Sequence, residues 1–125
     1  NVQGEASLAL STYHDIEDGW YFLLPESWRE EVMVSRSVDE DEACVTFYIQ
    51  GDQGPEPFMQ ITAITGSSRS VKAVRGGRFT LGRQAETIYT AELLDANSRW
   101  SGGMTEDQAR SAFSLITKEW VYGDN

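Results

Sequence analysis

With 20 acidic against 10 basic residues in a chain of 125, the formal net charge is −10 at neutral pH. That argues against nucleic acid as a general partner, because phosphate affinity comes from clustered Lys and Arg. A hydrophobic content of 40% and a charged content of 24% are ordinary for a folded domain, and no apolar run approaches the roughly 20 residues of a membrane-spanning helix. The length suits a single domain, residues 1–125, around one core.

In chain order, Ser7 to Tyr13 sets Leu8 and Leu10 against Ala9 and Ser11, the period-two pattern of a half-buried strand. His14 to Gly19 reads as a polar turn. Trp20, Tyr21, Phe22, Leu23 and Leu24 then predict a buried strand. Pro25 ends it, because proline fixes φ and donates nothing to a ladder. Pro25 also suits the first position of a helical turn, which would bring Trp28 back over the sheet. The two strands with a short polar connection predict a hairpin. Arg29 to Glu31 is solvated, and Val32, Val34, Arg36 and Val38 recur at every second position as a third strand.

The acidic run Asp39-Glu40-Asp41-Glu42 separates that strand from Ala43 to Gln50, where Ala43, Val45, Phe47 and Ile49 face one way and Cys44, Thr46, Tyr48 and Gln50 the other. Gly51 to Pro57, with Gly51, Gly54, Pro55 and Pro57, reads as a loop. It leads into a strand from Phe58 to Thr65, rich in β-branched residues. From Gly66 to Gly77 a short helix and an open loop fit equally well. Arg78 to Gln84 and Glu86 to Leu94 predict two more strands, the second with Tyr89, Ala91 and Leu93 on one face.

At the C-terminal end Ala109, Ala112, Phe113, Ile116 and Trp120 repeat at helical spacing and predict a long helix. Thr105 with Gln108 forms a capping-box pattern, Glu106 and Asp107 suit the positive end of the helix dipole, and Gly123 is placed to end the helix. Strands first and a helix last predict an α+β fold: a mostly antiparallel sheet with flanking helices, including a long C-terminal helix.

The segments GWYFLLPESW, CVTFYIQ, FMQITAIT, TIYTAELL and AFSLITKEW resemble, in order and spacing, the PsbP-like domains of secreted or lipid-anchored bacterial proteins. The similarity runs from about Tyr13 to the C-terminal segment, and its most specific piece is the aromatic strand entering Pro25-Glu26-Ser27-Trp28. The resemblance implies a central antiparallel sheet flanked by helices, an accessory or binding role rather than catalysis, and an extracytoplasmic location. The chain begins at Asn1 with no charged and apolar leader, so a mature or trimmed form is expected, with any lipid anchor upstream. Cys44, in the middle of a strand, cannot be that anchor.

The residues offer little for chemistry. His14 is the one histidine and Cys44 the one cysteine, so no internal disulfide forms, and a zinc site would need carboxylates for most of its ligands. A Cys44–His14 nucleophile pair is conceivable, but nothing in the sequence activates it, and a small half-buried thiol explains Cys44 as well. The acidic run lacks the alternating oxygen ligands and central glycine of a calcium loop. Gly76-Gly77 matches no phosphate-binding loop. No cofactor, metal or catalytic residue is therefore expected.

Trp20, Trp28, Trp100 and Trp120 could line a groove for a sugar or aromatic ligand, but only Trp100 lies in a plainly polar loop. Between Glu56 and Glu86 there is no acidic residue, while Arg69, Lys72, Arg75, Arg78 and Arg83 fall there. That stretch either folds against the acidic loops and neutralises them or presents a surface to an anionic ligand or acidic partner. The candidate contact residues are thus Arg69, Lys72, Arg75, Arg78 and Trp100. The expected function is a non-catalytic extracytoplasmic binding or accessory module. The alternatives are a structural domain docking through a sheet edge or exposed loop and, against the scarcity of His and Cys, a small hydrolase.

Overall fold

A computed structural model describes residues 12–15, 17–28 and 31–116. Among these residues eight strands form two antiparallel sheets. The small sheet has the order β1-β2-β8, with β1 at Thr12–Asp15, β2 at Trp20–Leu23 and β8 at Phe113–Leu115. The large sheet has the order β3-β4-β5-β7-β6, with β3 at Val32–Asp39, β4 at Glu42–Gly51, β5 at Gly54–Ile64, β6 at Phe79–Gln84 and β7 at Thr87–Leu93. Three short helices join them: α1 at Arg69–Ala73, α2 at Asp95–Arg99 and α3 at Glu106–Ala112. The fold is therefore α+β and mostly antiparallel.

The core lies between the sheets and is built by the alternation legible in the strands. Val45 and Phe47 of β4 pair with Ile61 and Met59 of β5, which pair in turn with Ala91 and Leu93 of β7, so these side chains share one face. The small sheet supplies Tyr13, Trp20, Phe22 and Phe113 against them, with Phe22 and Phe47 ring centroids 5.9 Å apart. After β2 the chain turns at Pro25 into a single 3-10 turn, Glu26–Trp28. The Trp28 ring folds back onto Phe47 and Phe58, as expected from the proline break. The opposite face of the large sheet is polar where it is open, and α1 covers its end by placing Ala73 on Ile64 and Ile88.

Three expectations need correction. His14 and Asp15 belong to β1, paired with Tyr21 and Trp20, so the turn is shorter than the polar run suggested; residues 7–11 lie outside the described residues. Pro55 and Pro57 belong to β5, opposite Gln50 and Tyr48, and not to a loop. They are tolerated because β5 pairs with β7 only from Met59 onward, so the first half of β5 is itself an edge that needs no second donor, and the register shifts beside Pro57. The alternating third strand is present as Val32–Asp39; Val32, Val34 and Val38 lie on the same face as Ile49, Phe47 and Ala43, but Val34 and Val38 stay exposed because β3 is the last strand of the sheet.

The last correction concerns the C-terminal helix. The capping box at Thr105 and Gln108 is present, but α3 stops at Ala112. Phe113 to Leu115 pair with Phe22 to Trp20 and complete the small sheet. The spacing of Ala109, Ala112, Phe113 and Ile116 fits a helix, yet strand pairing seats Phe113 against Trp20 and Tyr89, a tertiary contact that outweighs local periodicity. Trp120 and Gly123 lie outside the described residues.

The β6–β7 hairpin is closed by Ala85 and Glu86, and Ala85 has φ of +53°. A left-handed backbone crowds its Cβ against the following carbonyl. Ala85→Gly is therefore expected to stabilise the fold by about 0.5–1 kcal/mol, the strain relieved outweighing glycine's extra chain entropy. Urea unfolding of the two proteins checks this.

Candidate functional site

The side chains of the basic segment are turned mostly onto the protein itself. Because β3 and β4 are joined by the tight Glu40-Asp41 turn, the acidic run projects beside α1. There Arg78 reaches both carboxylate oxygens of Glu42, Nη2 to Oε1 at 3.0 Å and Nη1 to Oε2 at 3.3 Å, while also donating to the Lys72 carbonyl at 2.7 Å. Lys72 lies 3.7 Å from Asp41 and Arg75 lies 4.0 Å from Glu42. Arg69 donates to the Gly66 carbonyl at 2.8 Å. Of these four only Arg75 keeps most of its side chain in solvent. Their backbone neighbours Val71 and Val74 are exposed.

This arrangement has an electrostatic signature. Hydrogen bonding to Arg78 holds the Glu42 carboxyl below the usual carboxylate range, against the opposing effect of burial. A carboxyl whose folded pKa is depressed adds stability above its unfolded pKa and loses it as pH falls through the folded value. Glu42→Gln should accordingly cost about 1 kcal/mol at pH 7, as for a partly buried charged hydrogen bond. The cost should shrink as pH falls below the ordinary carboxylate range. Chemical denaturation of both proteins at pH 7 and at low pH gives the comparison.

Trp100 sits at the other end of the large sheet. The loop after α2 is held by Asn97, whose side chain bonds both the Met104 amide and the Met104 carbonyl at 2.9 Å. Gly103 must be glycine, since a Cβ there would lie 2.1 Å from the Asn97 carbonyl oxygen. The loop lays one face of Trp100 on Phe58 and Trp28, with centroids 5.0 Å and 5.9 Å away. The polar loop of the sequence thus carries a half-buried tryptophan. Its remaining surface lines a hollow of about 350 Å³ together with Glu31, Met33, Ile49 and Gln50.

That hollow adjoins the feature the sequence did not disclose. β3 is an edge strand of the large sheet, eight residues long, in unbroken register with β4. Met33, Val34 and Val38 are 40%, 38% and 62% exposed. Natural edges are commonly guarded by lysine, proline, bulges or a covering element, and the opposite edge shows such guards. β6 shifts register between Thr80 and Gly82, Arg110 donates to the Thr80 carbonyl at 3.3 Å, and the Arg110 guanidinium lies 5.0 Å over the Phe79 ring. β3 has no proline, lysine or bulge. Its one guard is Arg36, an inward-pointing cation turned beneath the sheet onto Asp15 and Asp18 at 2.9 Å each, which leaves the exposed valines and Met33 uncovered among the described residues.

The remaining candidates are dispersed. His14 lies on β1 opposite to Tyr13 and stacks near Tyr21 at 5.6 Å, whereas Cys44 lies on the polar face of β4, 3.7 Å from the Thr46 hydroxyl. They point away from each other across the core and do not form a pair. Among the described residues no group of three His, Cys, Asp or Glu is placed to hold a metal ion. A larger hollow of about 630 Å³ runs between Leu23–Pro25 and α3, but its one ionisable lining group, Asp107, stands in solvent. No helix among the described residues is long and apolar enough to cross a membrane.

Fold and surface together define an antiparallel α+β domain whose large sheet, among the described residues, is guarded along β6 and open along β3. No family model, curated protein or solved structure matches this chain.

Proposed function

We propose that this chain is a PsbP-like, non-catalytic accessory module that works outside the cytoplasm and binds a protein partner by adding a strand to β3. The observation that carries the reading is the open eight-residue edge with its exposed Met33, Val34 and Val38. Unpaired strand edges are templates for an extended segment, whose main chain supplies affinity while side-chain hollows supply specificity. Of the residues singled out in the sequence, Trp100 belongs to this contact, because it lines the hollow beside Met33. Lys72, Arg75 and Arg78 serve chiefly to fasten the α1 segment to the acidic turn, and Arg69 to hold the Gly66 carbonyl.

The test uses the full-length protein in its native cell, with a photo-crosslinking residue at Val38 or, as control, at Val71 on α1. The expected result is a crosslink from Val38, mapped to one segment of one partner, in the extracytoplasmic fraction. Crosslinks from Val71 but not Val38, or a protein confined to the cytoplasm, would overturn it.

A further inference from the structure

The charges around β3 say what kind of segment it fits. Glu31 stands just before the strand, and Asp39 and Glu40 at its far end. All three are exposed and in no ion pair among the described residues. The cation between them, Arg36, is taken up by Asp15 and Asp18. A strand laid along this edge therefore meets negative charge at both ends and uncharged residues, apart from that neutralised arginine, between. Near Glu31 it also meets the hollow formed by Met33, Ile49 and Trp100.

Resting on the edge-binding reading above, we infer that the partner segment is an extended stretch with apolar residues at alternate positions and Lys or Arg at both ends, one apolar side chain filling the Trp100 hollow. A second copy of this chain fits less well. Antiparallel pairing about a two-fold axis at Ser35 puts Glu31 opposite the copy's Asp39 at both ends of the ladder. Like charges directly opposite one another destabilise a ladder, and each copy brings a net charge of −10.

Short synthetic peptides alternating Val and Thr, ended by lysines or by glutamates, test this by calorimetry and by hydrogen exchange of the β3 amides. The lysine-ended peptide should bind and protect β3. Its affinity should fall about tenfold or more between about 50 and 500 mM salt, and the glutamate-ended peptide should bind at least about tenfold more weakly. Glu31→Lys with Asp39→Lys, two surface changes that leave the fold intact, should reverse the preference, and Trp100→Ala should weaken both peptides.

Equal binding of the two peptides, with β3 still protected, would overturn the charge assignment and leave the edge reading standing. Binding that leaves the β3 amides unprotected would overturn both. No binding by either peptide would overturn the partner assignment, as would a dimer in sedimentation that dissolves when proline is placed at Val34 or Ser35. These two neighbours alternate in ladder direction, so one of them has its N–H outward and accepts proline without loss of fold.

Discussion

Trp28→Ala is expected to lower stability by about 3–5 kcal/mol, the range for truncating a large buried aromatic and a large share of the roughly 5–15 kcal/mol such domains possess. The Trp28 side chain is 1% exposed and touches Phe22, Phe47, Phe58 and Trp100. Its indole N–H donates to the Gly102 carbonyl at 2.7 Å, tying the proline turn to the Trp100 loop. Loss of the ring leaves a cavity and frees that loop at once. Trp28→Phe separates the two effects, keeping most of the packing but losing the hydrogen bond, at about 1–3 kcal/mol. Trp20 is equally buried, but its indole N–H has no partner among the described residues. Trp20→Phe should therefore cost less than Trp28→Phe. Thermal and urea unfolding of the three variants decide the matter, and an unchanged midpoint for Trp28→Ala would refute the packing argument.

The second large effect is expected at Arg36. Its guanidinium reaches Asp15 and Asp18 at 2.9 Å and Glu17 at 3.3 Å, joining the underside of β3 to the β1–β2 turn. Asp15 is 4% exposed, and its other carboxylate oxygen accepts from the Asp18 amide at 3.0 Å. Removing the cation strands a buried carboxylate, which costs about 3–5 kcal/mol when nothing else compensates. The Asp18 amide compensates in part, so about 3 kcal/mol is expected for Arg36→Ala. Adding Asp15→Asn should restore part of the loss, because a neutral amide is no longer an unpaired charge. The double-mutant cycle built from these proteins measures the coupling. Burial pushes the Asp18 carboxyl above its ordinary range, with Arg36 opposing. For that group the sign is the reverse of Glu42: its contribution is present below the unfolded pKa and fades as pH rises through the folded one. Amide exchange along β3 should also quicken in Arg36→Ala, since the clamp holds the open edge onto the small sheet.

The strands of the large sheet and the role of Trp28 were legible in the sequence because each is specified locally. Val45 and Phe47 alternate with Thr46 and Tyr48 at the strand period, and a proline directly after Trp20 to Leu24 leaves the chain little choice but to turn. The capping box at Thr105 and Gln108 was likewise readable, since it involves residues three apart. What tertiary structure decided depends on neighbours far along the chain. Phe113 to Leu115 form a strand because β2 offers them a ladder and the core offers Phe113 a place beside Trp20 and Tyr89. Pro55 and Pro57 lie in a strand because β7 does not extend to meet them. The basic segment bends onto Glu42 because a two-residue turn carries the acidic run to α1. Above all, the alternation of Val32, Val34, Arg36 and Val38 marks β3 as a strand, but no local pattern distinguishes a central strand from an edge. Strand order settles that, and with Arg36 drawn under the sheet it leaves the outer edge of β3 without a partner strand among the described residues.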